Sequence, residues 1–233
     1  MVGAAAVFLL ALPIPVAAVE TLTISGTGFG IGTTQLLATE FAKLAPAVKL
    51  VMTPPLGNDG SIKALSASAV DAIVVSRPLK PSETAQGPVA IEYGKTPFGF
   101  ATTTPAATGF RSVEELAAVY GGARPAWLDG TPIRRIMRPA ISGDAKLIAS
   151  FSPAMKQAVQ SALTRPGNII ETAHQDAAAA MDNIPGALGT TTLAALVSEK
   201  RRFRRLPFNG VVPSVKALAD GSYPFVHTMA LVR

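Results

Sequence analysis

Glycine and hydroxyl side chains concentrate at three places where an apolar, strand-like run gives way to a helical pattern: Gly26 to Thr34, Gly57 to Ser61, and Arg138 to Asp144. The chemistry that such junctions support is anion binding. A helix N-terminus presents unpaired backbone N–H groups and the positive end of the helix dipole, glycine lets a ligand approach the backbone, and Ser or Thr adds hydroxyl donors. Arg138 contributes a planar fork suited to an oxyanion. Taken singly, each junction has a plainer reading, with Ser61 and Ser142 as ordinary N-caps and Gly26 to Gly32 as a tight turn. Three of them together with an arginine favour convergence on one cleft.

Composition removes most competing chemistries. The 233 residues contain no cysteine and only two histidines, His174 and His227, which excludes disulfide scaffolds, zinc ribbons, thiol catalysis and multi-histidine metal sites. Each histidine is solitary in sequence with no triad partner, and reads as a satisfied core or surface side chain. The acidic residues are scattered, so no carboxylate pair suggests glycosidase chemistry. A net charge of +6 suits an anionic ligand or partner without choosing among small anions, nucleic acid and membrane. The basic run Lys200-Arg201-Arg202-Phe203-Arg204-Arg205 is short and follows a helical segment, where positive charge complements the helix dipole; it lacks the wide basic surface that nucleic acid requires.

The elements that must position the junctions alternate between strand and helix. Residues 2–18 carry no charge, hold an apolar core from Ala4 to Leu12, and end in Val16-Ala17-Ala18, the pattern of a secretory signal peptide cut after Ala18. Leu22 to Ser25 is a short strand, and Leu37, Phe41 and Leu44 at i, i+4 and i+7 predict an amphipathic helix over 34–44. Val48 to Met52 is a second strand. Ser61 is placed to cap a short helix over 62–66, and Val70 to Val75 is a third strand ended by Pro78. This βαβαβ order predicts a mostly parallel sheet with helices on its faces. A pair of strands is expected from Val89 to Thr103, then a helix opened by the capping box Ser112-Val113-Glu114-Glu115. Ile133 to Met137 reads as a strand delivering Arg138, Ser142-Gly143-Asp144 and Ser152-Pro153 open further helices, and strands at 186–190 and 225–231 flank a helix over 193–199.

These residues carry a family resemblance. Arg138-Pro-Ala-Ile-Ser142-Gly143-Asp144 resembles the arginine, four-residue step, Ser-Gly-Thr segment of the periplasmic phosphate-binding proteins of ABC transporters. Pro54 to Leu65 resembles that family's Gly-Ser-Ser-Gly-Gly-Ile loop and helix, and Val70 to Leu79 its strand ending in Ser-Asp-Arg-Pro-Leu or Ser-Ser-Arg-Pro-Leu. Val113 to Ile133, with Trp127-Leu-Asp-Gly, is similar to the helix, turn and Trp-Asp-Gly segment before the arginine strand. The matched segments run in family order from about Leu22 to Phe151, with weaker similarity at Ile184 to Gly189.

The resemblance implies a two-lobed α/β periplasmic binding protein of type II, with mixed sheets flanked by helices and the ligand cleft between lobes. Its implied division is a signal peptide over 1–18, one lobe over 19–98 plus 190–233, and a second over 99–189. It implies capture of a small oxyanion, phosphate or phosphate-like, by a monomeric secreted protein that hands its cargo to a membrane permease, with no cofactor, metal or covalent chemistry. The implied ligand-binding residues are Thr27, Gly28, Thr33, Gly60, Ser61, Ser76, Arg138, Ser142, Gly143 and Asp144. Three places depart from the pattern: the first turn, Gly26-Thr27-Gly28, lacks the family's commoner Ser-Thr-Phe arrangement, which leaves Thr27, Gly28 and Thr33 as competing donors; Ser76 stands where the family commonly has a proton-accepting aspartate, and Asp144 where it has a threonine. Asp144 either takes over proton acceptance or caps its helix and points away. A secreted sensory or structural module of the same fold, a binder of an organic or phosphorylated ligand, and a phosphate-ester hydrolase are the alternatives; the last lacks a visible nucleophile and metal ligands.

Overall fold

A computed structural model describes residues 20–85 and 87–233; the signal peptide expected over 1–18 lies outside the described residues. The first third folds as β1 (Glu20–Gly26), α1 (Gly28–Leu44), β2 (Val48–Met52), α2 (Gly57–Ser66), β3 (Ala72–Val75) and the short α3 (Pro81–Thr84). The chain continues through β4 (Ala90–Thr102), α4 (Val113–Gly121), β5 (Arg134–Met137), α5 (Gly143–Ala149), α6 (Pro153–Thr164) and β6 (Ile169–Ile170). It closes with α7 (His174–Asn183), β7 (Ala187–Thr192), α8 (Leu193–Ser198), β8 (Arg204–Arg205), α9 (Val215–Ala219) and β9 (Val226–Val232).

The strands run in the order β2-β1-β3-β9-β4-β7-β5-β6, with β8 also on β4. β1 pairs in parallel with both β2 and β3, as a βαβαβ unit requires, while β9 and β4 add antiparallel strands. The strand pair expected over 89–103 is one long strand. Its first part, to Pro97, pairs with β9, and from Phe98 it pairs with β7. A bulge between Glu92 and Gly94 bends it, and Pro97, which has no N–H to donate, falls where it changes partner. β4 and β9 therefore carry the chain between a first half built on β1–β3 and a second built on β5–β7.

The second half holds the larger core, with Phe98, Phe100, Phe110, Leu116, Tyr120, Trp127, Met155 and Leu188 buried together. Leu206, Phe208, Ala217 and Tyr223 join it, so the segment after α8 packs on this half and β9 returns to the first. Trp127 Nε1 donates to the Gly186 carbonyl at 3.1 Å. The serine caps form as the sequence predicts: Ser112 accepts from Glu115 N, Ser142 from Ala145 N and Ser152 from Met155 N.

Three local expectations are corrected. Gly28, Gly30 and Gly32 are not a turn; they form the first turns of α1. A Cβ on Gly30 would stand 2.6 Å from Val74 Cγ1, and Gly32 lies against Ser198, so these glycines let the helix pack tightly on β3 and α8. In consequence the buried residues of α1 are Phe29, Gly30, Gly32 and Thr34, while the Leu37, Phe41 and Leu44 face points outward, Leu44 being 85% exposed. Finally, Ser61 is not an N-cap, since α2 begins at Gly57 behind Leu56 and Ser61 sits within it.

Candidate functional site

The N-terminal ends of α1, α2 and α5 meet other elements from both halves. Thr27, buried at the N-cap of α1, donates its backbone N–H to the Val74 carbonyl at 2.9 Å. Gly28 abuts α7: a Cβ there would be 2.6 Å from His174 Cβ, and its carbonyl accepts from Gln175 Nε2 at 3.1 Å. α2 meets α5 where a Cβ on Gly143 would lie 3.2 Å from Asn58 Nδ2. Asn58 holds the end of β3, accepting from Ser76 N at 2.9 Å and donating to Ser76 Oγ at 3.2 Å. Beside it an ion pair crosses between the halves, Lys146 Nζ to Asp59 Oδ2 at 3.1 Å. Asp59 also pairs with Arg77 at 2.7 Å, and these cations hold its carboxyl far below the usual carboxylate range.

The polar side chains near these junctions are buried. Ser25, Ser61, Ser76, Asp144, His174 and His227 are all buried. Ser25 Oγ, Ser61 Oγ, Arg138 Nε and His227 Nε2 are buried without a hydrogen-bond partner among the described residues. Buried polar atoms are nearly always paired, because leaving one unpaired costs about 1–3 kcal/mol, so a cluster of them marks a place built for something else to complete. Asp144 does not cap α5, which Ser142 does; its carboxylate turns inward and accepts from Thr190 Oγ1 at 3.2 Å. Arg138 donates from Nη2 to the Thr172 carbonyl at 2.7 Å, which anchors the guanidinium and leaves Nε free.

The two histidines, solitary in sequence, come together here. Phe29 contacts both in tilted geometry, with ring centroids 4.3 Å from His174 and 5.2 Å from His227. Burial pushes His174 down to about 4, partly offset by Asp144, with Arg138, Arg201 and His227 lowering it further. Burial also lowers His227, against the Ser76 carbonyl and Asp144, which raise it. Their reading as satisfied side chains fails for His227, whose Nε2 has no partner among the described residues.

Of the residues singled out from the sequence, Thr27, Gly28, Ser61, Ser76, Arg138, Ser142, Gly143 and Asp144 lie at these junctions. Thr33 and Gly60 do not join them. Thr33 Oγ1 donates back to the Gly30 carbonyl inside α1, and Gly60 faces Leu56 within α2. Sequence reasoning missed Ser25, Asn58, Thr190 and the histidine pair. Asn58 carried a signal, lying inside the Gly57 to Ser61 junction; the others become neighbours only through the sheet. Three arginines of the basic run are engaged locally: Arg201 pairs with Asp182 and Glu199, Arg204 with the Thr104 and Pro105 carbonyls, and Arg205 with the Pro213 carbonyl. Among the described residues no group of three or more His, Asp or Glu is placed to hold a metal ion, and no helix is long and apolar enough to cross a membrane.

A family model described as a PBP superfamily domain matches residues 15–233. No curated protein matches the sequence. Among solved structures, one from Clostridium perfringens, described as a phosphate ABC transporter substrate-binding protein with bound phosphate, superposes with a TM-score of 0.74 at 17% identity, covering 91% of this chain and 86% of that one. An ABC-type phosphate transport receptor from Vibrio cholerae gives 0.59 at 17% identity, covering 92% and 87%. The regulatory domain of CrgA, a LysR-type transcriptional regulator from Neisseria meningitidis, gives 0.56 at 13% identity, covering 91% and 88%. At these identities the likeness establishes the two-lobed fold.

Proposed function

The chain belongs to the PBP superfamily, and from that premise we propose that it is an extracytoplasmic solute-binding protein that captures a small oxyanion, phosphate or phosphate-like, for an ABC transporter. The observation that carries this reading is the set of buried donors without a partner among the described residues, Ser25 Oγ near the end of β1, Ser61 Oγ in α2 and Arg138 Nε just after β5, each beside one of the strand-to-helix junctions. Hydroxyls, a guanidinium N–H and the free N–H groups of Gly28 and Gly143 are all donors, and an oxyanion is the ligand that satisfies donors without adding its own demand for acceptors. The likeness to phosphate transport receptors supports the same class.

In this reading the first lobe comprises β1–β3 with β9, the second β5–β7 with the segment after α8, which packs on the larger core rather than on the first lobe as the division at residue 190 expects, and β4 and β9 form the hinge. Ligand contacts to Ser61 from one lobe and Arg138 from the other favour the closed state, which a membrane permease would recognise. The protein acts as a monomer and performs no covalent chemistry.

A thermal-shift series with phosphate, phosphite, phosphonates, sulfate, molybdate and arsenate tests this. Phosphate or a close analogue is expected to raise the Tm, by mass action worth about 4 kcal/mol at a thousandfold excess over Kd. Arg138→Ala is expected to abolish that shift while circular dichroism stays unchanged. No shift with any anion, or an Arg138→Ala protein that binds as tightly as the wild type, overturns the proposal. The similarity to a regulatory domain favours a second reading, a sensory module of the same fold. Recovery of a permease complex that depends on bound anion would decide for transport.

A further inference from the structure

Resting on the oxyanion reading above, we propose that His227 is a further ligand-contacting residue, whose Nε2 accepts a hydrogen bond from the ligand and so selects an oxyanion carrying an O–H or N–H over one carrying none. The tautomer follows from geometry. His227 Nδ1 lies 2.9 Å from the Ser76 carbonyl oxygen, which can only accept, so Nδ1 bears the proton. In the neutral ring Nε2 is then a bare lone pair. That lone pair is buried and has no partner among the described residues.

Three contacts hold the ring in this position. Phe98 holds it edge-on at 4.9 Å and Phe29 at 5.2 Å, while the Ser76 contact pins the opposite nitrogen. Ser76 is itself held by Asn58, so the anchor is fixed from α2. The charged and titratable groups around it are Asp144 on α5 and His174 on α7, with Arg138 and Arg201 acting on His174. Burial keeps the ring neutral, and the Asp144 carboxylate is a second acceptor, already taking one hydrogen bond from Thr190. The site thus combines donors for the oxygens of an anion with acceptors that a fully deprotonated anion cannot satisfy. A ligand without a proton sets its own lone pairs against Nε2 and pays the desolvation of a buried, unmade hydrogen bond. Phosphate at neutral pH carries a proton and sulfate does not.

Titration calorimetry at pH 7 with inorganic phosphate and with sulfate, on the wild type, His227→Asn and His227→Gln, tests the assignment. The Asn amide reaches the Nδ1 position, keeps an N–H for the Ser76 carbonyl and deletes Nε2. The Gln amide reaches the Nε2 position and can present a carbonyl acceptor there. Expected are a preference of the wild type for phosphate, a loss of roughly ten- to a hundredfold in phosphate affinity for His227→Asn with sulfate little changed, and partial rescue by Gln. Wild-type phosphate affinity in His227→Asn, with an unchanged phosphate-to-sulfate ratio, overturns the role of His227 and leaves the oxyanion reading standing. Failure of the wild type to bind either anion sinks both. If His227→Asn does not fold, 15N-histidine spectra of the wild type decide. Nε2 is expected to resonate as an unprotonated nitrogen and to shift when phosphate is added; a protonated signal, or none that moves at saturation, refutes the proposal.

Discussion

At the scale of single residues, the buried histidines tie the site to stability. His174 falls from its ordinary 6.5 to about 4 because burial disfavours its charged form. Between those values the unfolded chain takes up a proton that the folded protein refuses, so stability is fully present above pH 6.5 and is lost as the pH drops toward 4. The size is on the order of a few kcal/mol for a shift of this magnitude, and His227 adds to it in the same direction. Urea midpoints are therefore expected to fall between pH 7 and pH 5, with a shallower slope in His174→Gln. Equal slopes in the two proteins would show that His174 is not the group responsible. Ser61, Arg138 and Asp144 were legible in the sequence because a hydroxyl, a guanidinium or a carboxylate beside a strand-to-helix junction has a chemical meaning on its own. The histidines were not, since each gains meaning only when α7 and β9, more than forty residues apart, bring its ring against Phe29.

At the scale of elements, α1 shows where local pattern misleads. Its spacing of Leu37, Phe41 and Leu44 has helical period, and a helix does form there, yet that face meets solvent. The residues that pack are Phe29, Gly30, Gly32 and Thr34, in a glycine-rich stretch whose composition reads as a turn because glycine is a poor helix former. Tertiary packing overrides propensity here: a side chain at Gly30 would run into Val74, and Gly32 has only room for hydrogen beside Ser198. Gly30→Ala, although a better helix former in isolation, is thus expected to destabilise the fold by about 1–3 kcal/mol through overpacking. A matched Gly94→Ala, where nothing lies within 4 Å, provides the comparison and is expected to cost less. Thermal denaturation of both variants checks this, and a stabilised Gly30→Ala would refute the packing role. The serine-capped helices, by contrast, were legible to within a residue because a cap is a local device with a local signature.

At the scale of the molecule, β4 and β9 join the halves, and a small number of side-chain contacts span the gap beside the site. Gln175 to the Gly28 carbonyl is one, and the Lys146–Asp59 pair is another. On the proposed capture-and-closure reading such contacts form late, after the ligand has been engaged, so they should slow release more than they speed capture. The Lys146 and Asp59 side chains are about half exposed, at 53% and 46%, which places the pair among those worth little in water and sensitive to salt. Lys146→Gln is accordingly expected to raise koff for phosphate by no more than about fivefold, with kon nearly unchanged. Raising sodium chloride should bring the wild-type koff toward that of the variant, because screening removes the interaction that the substitution deletes. Stopped-flow measurements at low and high salt separate this from a general electrostatic effect on the anion, which would move both proteins alike. A koff ratio of one at low salt would mean that the pair persists in the open state or contributes nothing to closure. A ratio that stays constant as salt rises would mean that Lys146 acts through its aliphatic stem rather than its charge.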